Sequence, residues 1–204
     1  MGVVKKISPD DYISMPWKNG LGMTTELAKG CNDLTSDENA FLWRLSIAGV
    51  SEDGPFSNFP NIDRSLMLIE GNGITLDGGA QGVGVLFEQL QVYDFPGDIE
   101  LKGKLANGPI MDFNLMVDRR YATGELSGFN VSGPERLMLK SHINFIHLLE
   151  GSPPVTLDIE GELTVLESGH SLKCSNMNTG ATIMPSNNGI GQSAIIFASI
   201  NLIE

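Results

Sequence analysis

Arg44 is the residue in this sequence whose setting demands a chemical explanation. It stands in Phe41-Leu42-Trp43-Arg44-Leu45-Ser46-Ile47-Ala48, where period-two alternation puts Trp43, Leu45 and Ile47 on one face and Arg44 and Ser46 on the other. A guanidinium is permanently charged and presents five donors in a planar fork, so burying it is costly unless a carboxylate meets it. That carboxylate is either Glu26, as an internal structural pair, or the acid group of a ligand. Arg64, in Phe59-Pro60-Asn61-Ile62-Asp63-Arg64, precedes another apolar strand. It supplies either a second fork at the mouth of the same barrel or a rim pair with Asp63. Two such forks suit a small carboxylate, which a guanidinium grips bidentately.

A second cluster lies upstream, in Pro16-Trp17-Lys18-Asn19-Gly20-Leu21-Gly22-Met23-Thr24-Thr25-Glu26. Asn19-Gly20 has the chemistry of a tight hairpin turn, with Trp17 as a packing anchor. In an extended Gly22–Ala28, Thr24 and Glu26 share one face and Met23, Thr25 and Leu27 the other. The candidate ligand-binding residues are therefore Lys18, Asn19, Glu26, Arg44 and Arg64. No catalytic residue is required for binding. Should the protein be an enzyme, Glu26 or Asp98 is the expected base; Asp98, in Phe95-Pro96-Gly97-Asp98, equally fits a turn cap.

Other chemistries lack their residues. The three histidines, His142, His147 and His170, all fall in the second half. His142 and His147 are an odd number apart, so one continuous strand would point them to opposite faces, and His147 alternates with apolar residues as a core or rim histidine does. No metal site or cofactor is expected. There is no G-x-S-x-G, and the glycine-rich stretches 71–73 and 78–84 fit hairpin turns because no helix or phosphate-binding lysine follows them. The 13 basic and 25 acidic residues give a net charge of −12, which disfavours nucleic acid as a partner. Nothing in the chain has the roughly 18 consecutive apolar residues of a membrane span. A cytoplasmic protein is expected, and its two cysteines, Cys31 and Cys174, sit in polar, turn-like contexts that suit a reducing compartment.

The elements that must carry these residues are strands. With 24 glycines and 10 prolines among 204 residues, the chain is rich in turn formers, which disfavours a helical bundle. Alternating or short apolar segments cover Phe41–Val50, Ser65–Glu70, Met111–Val117, Leu137–Glu150, Val155–Ile159 and Ala194–Ile200. Only 33–40 holds plausible helix formers. Leu68-Ile69-Glu70-Gly71 followed by Ile74-Thr75-Leu76-Asp77 returns as Leu148-Leu149-Glu150-Gly151 followed by Val155-Thr156-Leu157-Asp158. The economical reading is an all-β chain of two jelly-roll barrels made by internal duplication, over 1–125 and 126–204, the second sharing strands with the N-terminal segment; chance recurrence of a short pattern is the alternative. Within that duplication, the turn after Tyr93–Asp98 is expected to correspond to Leu166–His170, and Phe113–Val117 to Ile195–Ala198.

Trp17-Lys18-Asn19-Gly20-x-Gly22-x-Thr24-x-Glu26, Trp43-Arg44-x-Ser46, Phe59-Pro60-x-x-Asp63-Arg64 and Phe95-x-Gly97-Asp98 together resemble the HutD/Ves family. The resemblance is strongest through about residue 120. It implies a bicupin without bound metal. It further implies a regulator or sensor associated with histidine utilisation, binding a small carboxylate such as formylglutamate or urocanate; Ves-type members are associated instead with cold or environmental stress. A metal-independent cupin isomerase or lyase acting on a small polar acid is the alternative, and a homodimer is one assembly open to such a protein.

Overall fold

The computed structural model describes residues 2–17, 22–31, 41–186 and 191–203. Lys18, Asn19 and the 33–40 segment lie outside the described residues. The chain divides into two compact units, the first of residues 12–124 and 202–204, the second of residues 1–11 and 125–201. Strand β1 (Val3–Ile7) precedes the first unit in sequence and belongs to the second.

In the first unit the strands are β2 (Ile13–Pro16), β3 (Gly22–Cys31), β4 (Phe41–Val50), β5 (Gly54–Pro55), β6 (Ile62–Glu70), β7 (Ile74–Asp77), β8 (Val83–Leu86), β9 (Val92–Pro96), β10 (Lys102–Leu105) and β11 (Ile110–Asp118). They form a six-stranded sheet, β2-β3-β4-β11-β6-β9, and a four-stranded sheet, β5-β10-β7-β8. Leu66 and Leu68 of β6 and Ile110 of β11 pack with Ile74, Leu76 and Leu86 of β7 and β8 as one buried cluster, so the core joins the two sheets. Along β6 the same inward face passes from Leu68 and Leu66 to Arg64. There the apolar filling gives way to a polar cavity.

The second unit continues with β12 (Ala122–Val131), β13 (Glu135–Leu139), β14 (Ile143–Leu148), β15 (Val155–Ile159), β16 (Glu162–Leu166), β17 (Ser171–Ser175), β18 (Thr179–Pro185) and β19 (Ser193–Leu202). Its sheets are β1-β17-β14-β19-β12 and β13-β18-β15-β16. Adding eight to each number in β4-β11-β6-β9 gives β12-β19-β14-β17, and adding eight in β5-β10-β7-β8 gives β13-β18-β15-β16. The two units thus share one eight-stranded jelly-roll topology, to which β2 and β3 are added in the first and β1 in the second. The repeated Leu-x-Glu-Gly falls at equivalent corners, after β6 and after β14, where Gly71 and Gly151 have φ of 99° and 82°, a region that costs a side-chain-bearing residue strain.

One of the expected correspondences changes. Tyr93–Asp98 spans β9 and the turn beyond it, whereas Leu166–His170 is the turn between β16 and β17; its counterpart by topology is the 86–91 turn between β8 and β9. Both turns are short, polar and acidic, and sequence pattern alone does not tell them apart. Leu137–Glu150 is likewise two strands, β13 and β14, on different sheets. Neither cysteine is in a turn: Cys31 ends β3, and Cys174 is buried in β17, where burial pushes its thiol up to about 12.

Candidate functional site

Antiparallel register decides which side chains meet. Strand β11 lies between β4 and β6, and Met116 pairs with Arg44 on one side and Arg64 on the other. The next inward row is Ser46, Asn114 and Leu66; the one after is Ala48, Asp112 and Leu68. Because alternate residues share a face, Arg44, Ser46, Arg64, Asp112 and Asn114 all project to the inside of the first unit. They line a cavity of about 650 Å³.

Arg64 is 7% exposed. Its Nη2 donates to Asn114 Oδ1 at 2.8 Å, and its guanidinium carbon lies 5.0–5.7 Å from the ring centres of Phe95, Phe59 and Phe56. Burial lowers its pKa to about 10, Asp112 opposes that shift and Arg44 adds to it, so it stays charged at neutral pH. Arg44 donates from Nη2 to the thioether of Met116 at 3.1 Å and stands over Phe41 and Phe59. Burial lowers its pKa too, against the attraction of Glu26. The Nε of both arginines is buried without a hydrogen-bond partner among the described residues. Neither has a carboxylate within ion-pair distance there. Buried donors in that state are rare and costly.

Asp112 and Asn114 complete the constellation and are absent from the residues expected from sequence. Asn114 Nδ2 donates to Asp112 Oδ1 while its Oδ1 accepts from Arg64, so one carboxamide bridges cation and anion. Burial pushes the Asp112 carboxyl up to about 7, against the pull of Arg64 and of the Asn114 hydrogen bond. The signal was available in Met111-Asp112-Phe113-Asn114-Leu115: polar residues at alternate positions of an apolar strand, the pattern that marks Arg44.

Two expected contacts are corrected, and of the two roles open to Asp98 the structure shows the turn cap. Glu26 does not pair with Arg44: a register shift at Leu27 offsets β3 against β4, and Glu26 Oε1 lies 3.5 Å from Lys29 Nζ. It acts on Arg44 only through space and is not on the cavity lining. Asp63 does not pair with Arg64, because adjacent strand residues point oppositely; it accepts from Arg119 Nε at 2.8 Å. Asp98 stands outside the cavity as a turn carboxylate. It accepts from the Asn61 backbone N–H at 2.8 Å and from Arg119 Nη1 at 2.6 Å, and these bonds hold its pKa low. A group so placed is no base for a guest in the cavity.

That turn builds the cavity wall. Phe59 N–H donates to Gly97 O at 2.7 Å and Gly97 N–H to Ile62 O at 2.6 Å, and a Cβ on Gly97 would come within 2.8 Å of the Phe59 carbonyl. Phe59-Pro60-x-x-Asp63-Arg64 and Phe95-x-Gly97-Asp98 are thus two halves of one laced structure that sets Phe59 against both guanidiniums. On the opposite side, Trp17 N–H donates to Gly22 O at 2.9 Å, and Trp17 Nε1 to Thr24 Oγ1 at 2.8 Å. A Cβ on Gly22 would meet the Trp17 ring at 2.9 Å. Trp17 and Thr24 line the cavity; Lys18 and Asn19, between them in sequence, lie outside the described residues.

His147 is buried in the second unit, with Nδ1 2.9 Å from Ser171 Oγ; burial, then the nearby His170, lowers its pKa to about 4. Among the described residues no three His, Cys, Asp or Glu side chains converge as metal ligands. No described helix is long and apolar enough to cross a membrane.

Two jelly rolls of matching strand order, the first holding the polar cavity, define a cupin-like fold. A model of the HutD family matches residues 9–189, and the chain belongs to that family. It is 32% identical over 163 residues to an uncharacterised 21.2 kDa protein in the hutC 3' region of Pseudomonas putida, covering 79% of this chain and 80% of that one. Protein Ves of Cronobacter sakazakii is 33% identical over 134 residues, 58% of this chain and 71% of that one. Among solved structures, HutD from Pseudomonas fluorescens SBW25, in a formate condition, superposes with a TM-score of 0.76 at 27% identity, over 99% of this chain and all of the other.

Proposed function

We propose that the first jelly roll binds a small carboxylate between Arg44 and Arg64, and that the protein is a non-enzymatic sensor or regulator acting in histidine utilisation. The observation that carries this is the pair of guanidiniums facing one cavity, each with a buried Nε that has no hydrogen-bond partner among the described residues. A guest carboxylate would give those forks the acceptors they lack, and each charge-assisted bond contributes roughly 1.5–3 kcal/mol. The aromatic rings beside them exclude water and strengthen the attraction. Guanidinium, hydroxyl, amide, carboxyl, indole and thioether groups of the described residues give the lining its polar character; that set suits an organic acid and offers no imidazole or thiolate to a metal. The relative from the hutC 3' region supports the pathway assignment.

The test is calorimetric titration with formate, succinate, urocanate and N-formylglutamate. Saturable binding of at least one acid, weakened about tenfold or more in Arg64→Gln and also weakened in Arg44→Gln, is the expected result; no binding by any of the four overturns the proposal. A second reading, an isomerase or lyase, now rests on Asp112, a buried carboxyl on the cavity lining that titrates near neutrality. Product seen by mass spectrometry, and lost in Asp112→Asn, would favour it.

A further inference from the structure

The charged residues lining the cavity, among the described residues, are Arg44 on β4, Arg64 on β6, Asp112 on β11 and Glu52. Glu52 is exposed, and the register partners of Asp112, Ala48 and Leu68, carry no charge. Glu26, buried and 3.5 Å from Lys29 Nζ, attracts Arg44 through space, and Asp112 attracts Arg64. An arriving anion therefore enters a site where each guanidinium already has a carboxylate acting on it. Only one of those carboxylates stands on the lining.

Asp112 is 1% exposed. Its Oδ1 takes the hydrogen bond from Asn114; Oδ2 takes none from the described residues. Two anions enclosed with little water repel strongly, and such a pair keeps a proton on one member.

We propose that Asp112 receives the bound acid as a neutral carboxylic acid, so that an anion captured while Asp112 is ionised brings one proton into the cavity. This rests on the carboxylate reading above. The proton comes from solvent and sits on Oδ2, from which the O–H donates to an oxygen of the guest; Oδ1 keeps its bond from Asn114, and no covalent bond to carbon forms or breaks. Asp112 is then a binding residue, and its titration near pH 7 in the empty site makes capture of the acid sensitive to pH in the physiological range. Above about pH 7 the empty site must take up the proton on binding, and affinity falls about tenfold per pH unit until the pKa of the occupied site is reached. Below it Asp112 already holds the proton, and affinity is level down to the titration of the guest.

The test is titration of the intact protein with the same four acids at about pH 8, in phosphate and in Tris, which differ in ionisation enthalpy. The expected heats differ between the buffers by an amount equal to uptake of close to one proton per acid bound. Asp112→Asn supplies a fixed neutral donor in the same place; it should bind at least about tenfold more tightly than wild type near pH 8.5, with no buffer dependence. Binding without proton uptake, or weaker binding by Asp112→Asn at that pH, overturns the inference and leaves the carboxylate reading standing. No binding by any of the four acids overturns both. Should Asp112→Asn fail to fold, the comparison of buffers on wild-type protein decides alone.

Discussion

Arg44 and Arg64 occupy one cross-strand row, on β4 and β6, with Met116 of β11 between them. Two strand spacings separate their backbones by about 10 Å. Both guanidinium carbons come back toward the Phe59 ring, 5.8 Å and 5.5 Å from its centre. The sheet holds two like charges at one cavity, and the strands rather than a flexible loop set their spacing.

Asp112 makes the fold sensitive to rising pH. Its carboxyl titrates at about 7 in the folded protein and near 3.9 in an unfolded chain, so the native state binds the proton more tightly. The resulting stability is complete below about pH 4 and is lost as pH rises through 7, by at most roughly 4 kcal/mol. Urea unfolding at about pH 5 and about pH 8 should show wild type losing stability relative to Asp112→Asn at the higher pH. Parallel behaviour of the two proteins would contradict this.

His147 acts in the opposite sense. An imidazole at about 4 when folded and near 6.5 when unfolded contributes stability that is present above about pH 6.5 and lost as pH falls toward 4, by at most roughly 3 kcal/mol. His147→Gln should flatten that acid limb in thermal melts. An unchanged slope would show that another group carries it.

Gly97 controls the wall over the arginines. Gly97→Ala drives a Cβ against the Phe59 and Ile62 carbonyls, 2.8 Å and 2.9 Å away, and overpacking of this kind costs about 1–3 kcal/mol. The variant should melt lower and bind acids more weakly than wild type, because Phe59 moves with the turn. Removing the Asp98 carboxylate from the same turn, in Asp98→Ala, should lower the melting temperature more than Asp98→Asn, which keeps an acceptor for the Asn61 N–H. Equal melting temperatures for the two Asp98 variants would contradict that role.

Strand content and the repeat of one strand order are legible in the sequence because alternation in Phe41–Val50 and the Leu-x-Glu-Gly recurrence are local patterns. Arg44 and Arg64 stand out for the same reason: a permanent charge in an apolar strand is conspicuous without any knowledge of neighbours. Partners are not local. Glu26 looks like the mate of Arg44 until the register shift at Leu27 is known, and Asp98 looks like a base until Asn61 and Arg119 are seen to occupy it. Asp112 hides because its importance depends on β11 lying between β4 and β6, a pairing that joins residues far apart in the chain. Strands of low apolarity, such as β12 with its Gly124, Ser127 and Gly128, give no alternation to read.

Titration of wild-type protein, Arg64→Gln and the Arg44→Gln/Arg64→Gln double variant with succinate and N-formylglutamate, followed by calorimetry, tests the central claim most directly. Wild type should bind at least one acid at a single site. Arg64→Gln should lose about tenfold or more in affinity and the double variant all measurable binding, with both still folded by circular dichroism. Undiminished affinity in the folded double variant would contradict the account.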